Sequence, residues 1–283
     1  LPEEERQRYC ERILLPQLYA SLSIAARRLT SQLAVSEVPL PADGLAEITG
    51  ITAAEAESSA GAAVNYGLVQ RFAEADLPTL FHVPGLLRNW LGAEERLSVV
   101  ERCAVDVTLA RFWRRSYEQD REHELRVSHD VALVTCHVHA QRGRTTDELV
   151  WAACRLSQFY ESRSRWSEAR AILEAIPIAN WDATIWHNLA TLDVNEGAYP
   201  AAREKFQRSL EIEQAIGNKA GEAATWHQLG FMLWEMKRQP EAPPMLAISA
   251  KNLIADWECG SGYRSSKLAS NVFAAPIYPR AVQ

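Results

Sequence analysis

Trp186 and Trp226 stand forty residues apart, and each opens the pattern Trp-His-polar-Leu-small, followed sixteen residues later by an alanine, Ala202 or Ala242. This internal period constrains the fold more than any other feature of the chain. A single unit of that size cannot bury its apolar face alone, so copies must stack, and stacked helical units make a solenoid. A solenoid offers an extended surface to a partner before it offers a catalytic pocket.

Within the two copies, Leu189 matches Leu229, Ala190 matches Gly230 and Phe206 matches Leu246. A weaker copy lies 33 residues upstream, with Leu156, Ser157, Tyr160, Trp166, Ala169 and Leu173 at the corresponding positions. These residues resemble the tetratricopeptide repeat, whose motif places a large residue, Leu and a small residue on a first helix, then Ala and an aromatic or Leu on a second. The small residues let two antiparallel helices approach while Trp, Leu and Phe fill the gap. The forty-residue spacing implies an insertion through Ile216, Gly217 and Asn218. In the third copy Pro243 and Pro244 fall early in the second helix, which is compatible only with a helix that starts about there. Repeats are expected over 146–256, with a capping segment or tail over 257–283.

Upstream the pattern differs. Residues 1–20 read as a helical arm, with Tyr9, Ile13, Leu14 and Leu18 near helical spacing and Pro16 as the only obstacle. Over 21–92 the chain predicts helices at Leu22–Leu33, Ala42–Ile48 and Ala53–Tyr66, the last opened by Thr52 with Glu55 at the third helical position and stopped by Gly67. Strands follow at Leu68–Phe72 and Leu80–Val83. Helix, helix, helix, ribbon is the order of a winged helix. Residues 93–145 form a helical connector or degenerate repeat, with helices at about Glu94–Gln119 and at Leu125–Gln141, the second closed by Gly143. The expected fold class is mainly α, a winged-helix-like module followed by a tetratricopeptide-type helical solenoid.

The stretch Gly67-Leu68-Val69-Gln70 and the run from Leu80-Phe81-His82-Val83 to Trp90 resemble the winged-helix domain of the STAND signalling NTPases, which include the NB-ARC proteins. In that family a histidine at the end of the second ribbon strand contacts bound nucleotide, and His82 holds the matching position. The family's Met-His-Asp reads here Phe81-His82-Val83, without the acidic neighbour. His82 is therefore either nucleotide-proximal or a half-buried strand-end histidine. The chain begins at Leu1 rather than at methionine, and the resemblance implies an NTPase domain upstream as a partner, with ATP or ADP bound there. No cofactor is expected in these residues.

A winged helix also raises DNA as a partner. The candidate recognition helix after Thr52 has no Lys or Arg, and residues 21–92 hold four Arg and no Lys against seven acids. Base and phosphate readout needs donors of that kind, so DNA is not expected. The net charge of -6 argues the same way for the whole chain. Five cysteines, Cys10, Cys103, Cys136, Cys154 and Cys259, include no Cys-x-x-Cys pair, which fits reduced thiols. There is no apolar run long enough to span a bilayer, so no membrane role is expected and the cytoplasm is the expected compartment.

No catalytic constellation stands out, and the chain is not read as an enzyme. A phosphate-wrapping Gly-x-x-x-x-Gly-Lys-Ser/Thr loop is missing from the sequence, and Gly260-Ser261-Gly262 with Lys267 has the wrong spacing. Cys136, His137 and His139 cluster in sequence, but helical positions i and i+2 do not share a face, so no metal site is expected. Cys154 has no protease signature around it, and Glu94 with Glu95 and Glu211 with Glu213 read as solvated helix faces.

The remaining candidate is the concave repeat surface. The tetratricopeptide resemblance implies that the first helix of each unit lines it, with Trp151, Arg155 and Gln158 in the first copy. The second copy contributes His187, Asn188, Thr191 and Asn195, and the third His227, Gln228, Phe231 and Trp234, with Glu235 beside them. Asn188 sits where related repeats hold a peptide backbone, a task that suits an amide because it both donates and accepts. Phe231 and Trp234 are aromatic anchors of the kind that dominate interface energetics, unless Trp234 packs on the next helix. The expected function is a protein- or peptide-binding sensor or regulatory segment of a STAND-type protein. The alternatives are a stand-alone adaptor and a winged-helix transcription regulator.

Overall fold

The computed structural model describes residues 3–94 and 96–235, with side chains through Leu233 except those of Glu4 and Gln7. Ala242, Pro243, Pro244, Leu246, the Gly260 turn, the segment 257–283 and the side chains of Trp234 and Glu235 lie outside the described residues. The chain divides into two compact units, 1–159 and 160–283. The described residues are mainly helical.

The first unit opens with α1, Glu3–Tyr9, a π-helical turn at Cys10–Leu14, and α2, Leu15–Ser21. The π turn removes the obstacle of Pro16. Leu15 N–H bonds to the carbonyl of Cys10, five residues back, and the widened turn takes up the missing donor and the ring of the proline that follows. Helix α3, Ile24–Leu33, is capped by Ser23, whose hydroxyl accepts from Ala26 N at 3.2 Å. Strand β1, Leu40–Pro41, leads into α4, Ala42–Thr49, and α4 ends at Gly50 in the left-handed region.

Helix α5, Ala53–Asn65, begins with the reciprocal cap expected from the sequence: Glu55 N donates to Thr52 Oγ1 and Thr52 N donates to the Glu55 carboxylate. Gly67, at φ +70°, turns the chain into β2, Gln70–Phe72, which pairs antiparallel with β3, Leu80–His82. The sheet order is β1-β3-β2, with Leu40 opposite Phe81 and Gln70 opposite His82. Three helices and a ribbon stand in the expected order, with one strand added. Two residues ending in proline carry no strand signal, yet proline is tolerated on an edge strand because it need not donate there.

Helix α6, Gly85–Ala93, precedes α7, Val99–Glu118. The expected start of α7 near Glu94 moves to Val99 because Ser98 and Glu101 form a second reciprocal cap. After the short α8, Glu122–Leu125, helix α9, His129–Gly143, lies along α7. This pairing separates the Cys136, His137, His139 cluster. Cys136 Sγ is 3.2 Å from the Ala110 carbonyl and His139 Nδ1 is 2.7 Å from Asp106 Oδ1, so both point at α7. Burial pushes the Cys136 thiol up to about 12, which leaves it unreactive.

Gly143 is not the residue that turns α9 off. It is the last helical residue, and Arg144 takes the left-handed position at φ +55°. A Cβ at Gly143 would lie 2.8 Å from Val107 N, so the glycine is there for close approach to α7. Helix α10, Thr146–Glu161, closes the unit, and the unit boundary falls inside it rather than before it. Ala152 is buried in the first core and Trp151 packs against it, which ties most of α10 to the first unit.

The second unit holds α11, Trp166–Glu174, a 3-10 turn at Ile178–Asn180, then α12, Ala183–Asn195, α13, Tyr199–Ile216, and α14, Lys219–Glu235. Ala190 and Ala202 are fully buried where α12 meets α13, and Phe206, Leu210, Leu229, Met232 and Leu233 complete that core. The forty-residue spacing has a simple origin. Trp186 is the fourth residue of α12 while Trp226 is the eighth of α14, and α13 runs on to Ile216, so the insertion lengthens helices instead of making a loop. Gly217 turns the chain at φ +73°, and Asn218 Oδ1 accepts from Gly221 N at 3.2 Å at the start of α14.

Candidate functional site

His187, Asn188, Thr191 and Asn195 recur at i, i+1, i+4 and i+8 and form one stripe along α12. His227, Gln228 and Phe231 repeat the first three of those offsets on α14. Behind each stripe the large residues pack. Leu189 is sealed, Leu229 is 5 % exposed, Trp226 lies on the α12–α13–α14 core, and Trp186 meets Trp181 edge to face at 4.8 Å.

The stripe on α12 is not uniformly free for a partner. His187 Nδ1 lies 2.9 Å from Thr225 Oγ1 on α14, and its ring meets Phe206 of α13 edge to face at 5.4 Å. Thr225 is in turn 3.4 Å from Ser209 Oγ, which donates to the Ala183 carbonyl. His187 thus belongs to a polar chain that ties three helices together. Burial pushes its pKa down to about 4, so the ring is neutral near pH 7. Thr191 donates its hydroxyl to the His187 carbonyl at 3.0 Å, one turn back on its own helix.

Asn188 differs. It is 5 % exposed, and among the described residues its Nδ2 is buried without a hydrogen-bond partner. An orphaned amide donor of this kind costs roughly 1–3 kcal/mol. Asn195 is exposed and donates Nδ2 to Glu161 Oε1 at 3.0 Å. Burial raises the Glu161 pKa, against the opposing effect of that hydrogen bond. His227 and Gln228 are half-buried, and Phe231 is 43 % exposed on the same face of α14.

The three residues of the first copy lie in the first unit. Trp151 is enclosed by Tyr117 at 5.5 Å, edge to face, and by the Arg114 guanidinium at 5.1 Å, so it serves packing. Arg155 and Gln158 are exposed and 3.4 Å apart. His82 also lies in the first unit, at the end of β3. Arg88 Nη2 is 2.8 Å from His82 Nε2, and because a guanidinium only donates, the ring must accept there and is neutral. Burial first, then the charge of Arg88, lowers its pKa. Nε2 of His82 is therefore engaged by Arg88, and Val83 stands where the STAND motif has its acidic residue.

One residue of consequence escaped the sequence reading. Asp193, 4 % exposed, receives Arg170 of α11 at 2.7 Å and also Lys205 of α13, and so joins three helices. A signal for it exists, since an aspartate four residues after the core Leu189 falls on the buried stripe of α12 and demands a cationic partner.

Among the described residues no helix is long and apolar enough to cross a membrane. The chain matches the tetratricopeptide repeat family over residues 181–246. No curated protein matches it. Among solved structures it is similar to a signal-transduction ATPase with numerous domains (STAND) protein with a tetratricopeptide repeat sensor from Pyrococcus horikoshii, at 14 % identity and a TM-score of 0.34. That match covers 86 % of this chain but 46 % of the other, so this chain spans less than half of that protein's length. The repeat assignment rests on the family match and on the helices themselves: α12, α13 and α14 carry tetratricopeptide repeats.

Proposed function

We propose that this chain is the sensor or regulatory segment of a STAND-type signalling protein, binding a protein or peptide ligand on the stripes of α12 and α14. Occupancy is relayed through the winged-helix-like module of residues 21–92. The observation that carries the ligand site is Asn188, whose buried donor has no partner among the described residues and stands at the centre of the α12 stripe. Phe231, exposed on α14, supplies the apolar contact. The STAND assignment is supported by His82 at the ribbon end and by the repeats that follow. An NTPase domain, with its nucleotide, belongs to the rest of such a protein, because these residues contain no phosphate-wrapping loop. A DNA-binding role is disfavoured by α5, which has no Lys or Arg and locks Glu55 into its cap.

The test is selection of peptides from a random library on the 283-residue chain, followed by affinity measurements on variants. Asn188→Ala and Phe231→Ala should each weaken the selected peptides about tenfold, the equivalent of about 1.4 kcal/mol, with the melting temperature close to that of the parent. Peptides that bind both variants as tightly as the parent would place the ligand elsewhere.

A further inference from the structure

Bounded by α3, α6, α7 and α9 of the first unit is a cavity of about 480 Å³, within the range of small-molecule sites. Four guanidiniums line it: Arg88 on α6, Arg96 between α6 and α7, Arg102 on α7 and Arg142 on α9. Two carboxylates share the wall, and both are engaged. Glu37 accepts from Arg142 at 3.0 Å, and Asp106 is 2.7 Å from His139 Nδ1. Arg96 is also occupied, reaching Glu94 at 3.3 Å and lying over the Tyr19 and Trp90 rings at 5.5 and 5.2 Å.

Arg88 and Arg102 are different, since among the described residues neither has an ion-pair partner. Arg88 gives Nη2 to His82 Nε2 and, at 3.2 Å, to the Val83 carbonyl, both neutral acceptors, and among the described residues its buried Nε has no partner. Two guanidiniums thus face one cavity without an ion pair, Arg88 feeling only the more distant charge of Glu37, in a chain whose net charge is -6. Arg88 is half-buried, where charge without an ion pair is unfavourable, and Arg102 stands exposed at the rim; an anion entering the cavity meets both. Val35, Leu91 and Leu97 add apolar wall beside the arginines.

We infer that this cavity binds a small phosphate ester, its phosphate held by Arg88 and Arg102 and its organic body against the apolar wall. A phosphate monoester carries about two negative charges near pH 7, matching the two guanidiniums that have no ion-pair partner among the described residues, where a single carboxylate would match one. The planar fork of each guanidinium also pairs two donors with two phosphate oxygens. All of these residues lie in the first unit, so the site stands or falls separately from ligand binding by the repeats.

The experiment is isothermal titration of the full chain with phenyl phosphate, at ionic strength held constant with chloride. One saturable site is expected, with a Kd below about 1 mM. Arg102→Glu should weaken it at least tenfold. Arg102 is exposed and has no side-chain partner, so this change should leave the fold intact, as circular dichroism would check. Arg208→Glu, which reverses an exposed charge on α13 of the other unit, should leave the affinity unchanged. Absence of saturable binding, equal affinity in Arg102→Glu, equal loss in Arg208→Glu, or binding of succinate as tight as that of phenyl phosphate would each overturn the assignment.

Discussion

Replacing Gly143 by alanine sets two effects of opposite sign against each other, and the structure decides which prevails. Alanine favours a helix over glycine by up to about 1 kcal/mol, and Gly143 is helical, though at the last position, where the gain is smaller. Against this, the new Cβ would lie 2.8 Å from Val107 N, 3.1 Å from Val107 Cγ2 and 3.2 Å from the Asp106 carbonyl carbon. Two of these three atoms are backbone in the middle of α7, which cannot swing away as a side-chain tip can. To restore ordinary contact near 3.4 Å, the end of α9 must move about 0.6 Å from α7. Overpacking of this kind costs about 1–3 kcal/mol. The net expectation is destabilisation of about 1–2 kcal/mol, or a fall of about 2–8 °C in the melting temperature of the first unit. Gly61→Ala is the matched control, because Gly61 lies within α5 and a Cβ there meets nothing within 4 Å. It should leave stability unchanged or raise it by up to about 1 kcal/mol. Thermal melts of both variants, followed by circular dichroism, make the comparison. If Gly143→Ala melts at or above the parent temperature, the close approach of α9 to α7 does not explain the glycine.

Two further predictions concern the repeats. The folded state lowers the pKa of His187 from 6.5 to about 4, so its stability contribution is complete above pH 6.5 and is lost as the pH falls toward 4. The loss is at most about 3 kcal/mol, and His187→Gln should remove that part of the acid sensitivity in melts taken between pH 7 and pH 4; an unchanged pH profile would contradict the buried neutral ring. Asp193→Ala removes the buried carboxylate that Arg170 and Lys205 share, although Arg170 keeps Glu196 at 2.8 Å. Because both cations keep some solvent contact, we expect destabilisation of about 1–3 kcal/mol in urea titrations, and a change below about 0.5 kcal/mol would show that Asp193 does not hold the three helices.

The features that the sequence determined by itself are those encoded within a turn or two of the chain. Thr52 with Glu55 sets the start of α5, Gly67 sets its stop, and the recurrence of Trp, Leu and small residues marks α12 and α14 as equivalent packed helices. Such signals are legible because caps and periodicity act between residues a few positions apart. The stripe of candidate ligand residues was legible for the same reason, as a set of offsets on one helix.

Tertiary structure decided what each of those residues is free to do. His187 and Asn188 are sequence neighbours, yet Thr225, 38 positions from His187, engages one, while the Nδ2 of the other has no partner among the described residues. Gly143 reads as a helix stop until α7 is laid against it, and the cations that Asp193 meets, Arg170 and Lys205, are known only once the flanking helices are placed. The arginine cavity draws on residues from Ser31 to Arg142, none of which forms a motif in the linear chain. The cause is the same in each case. Helix rotation and approach are set by the packing of apolar side chains, and only once they are set does a polar or glycine residue acquire its neighbours, and with them its role.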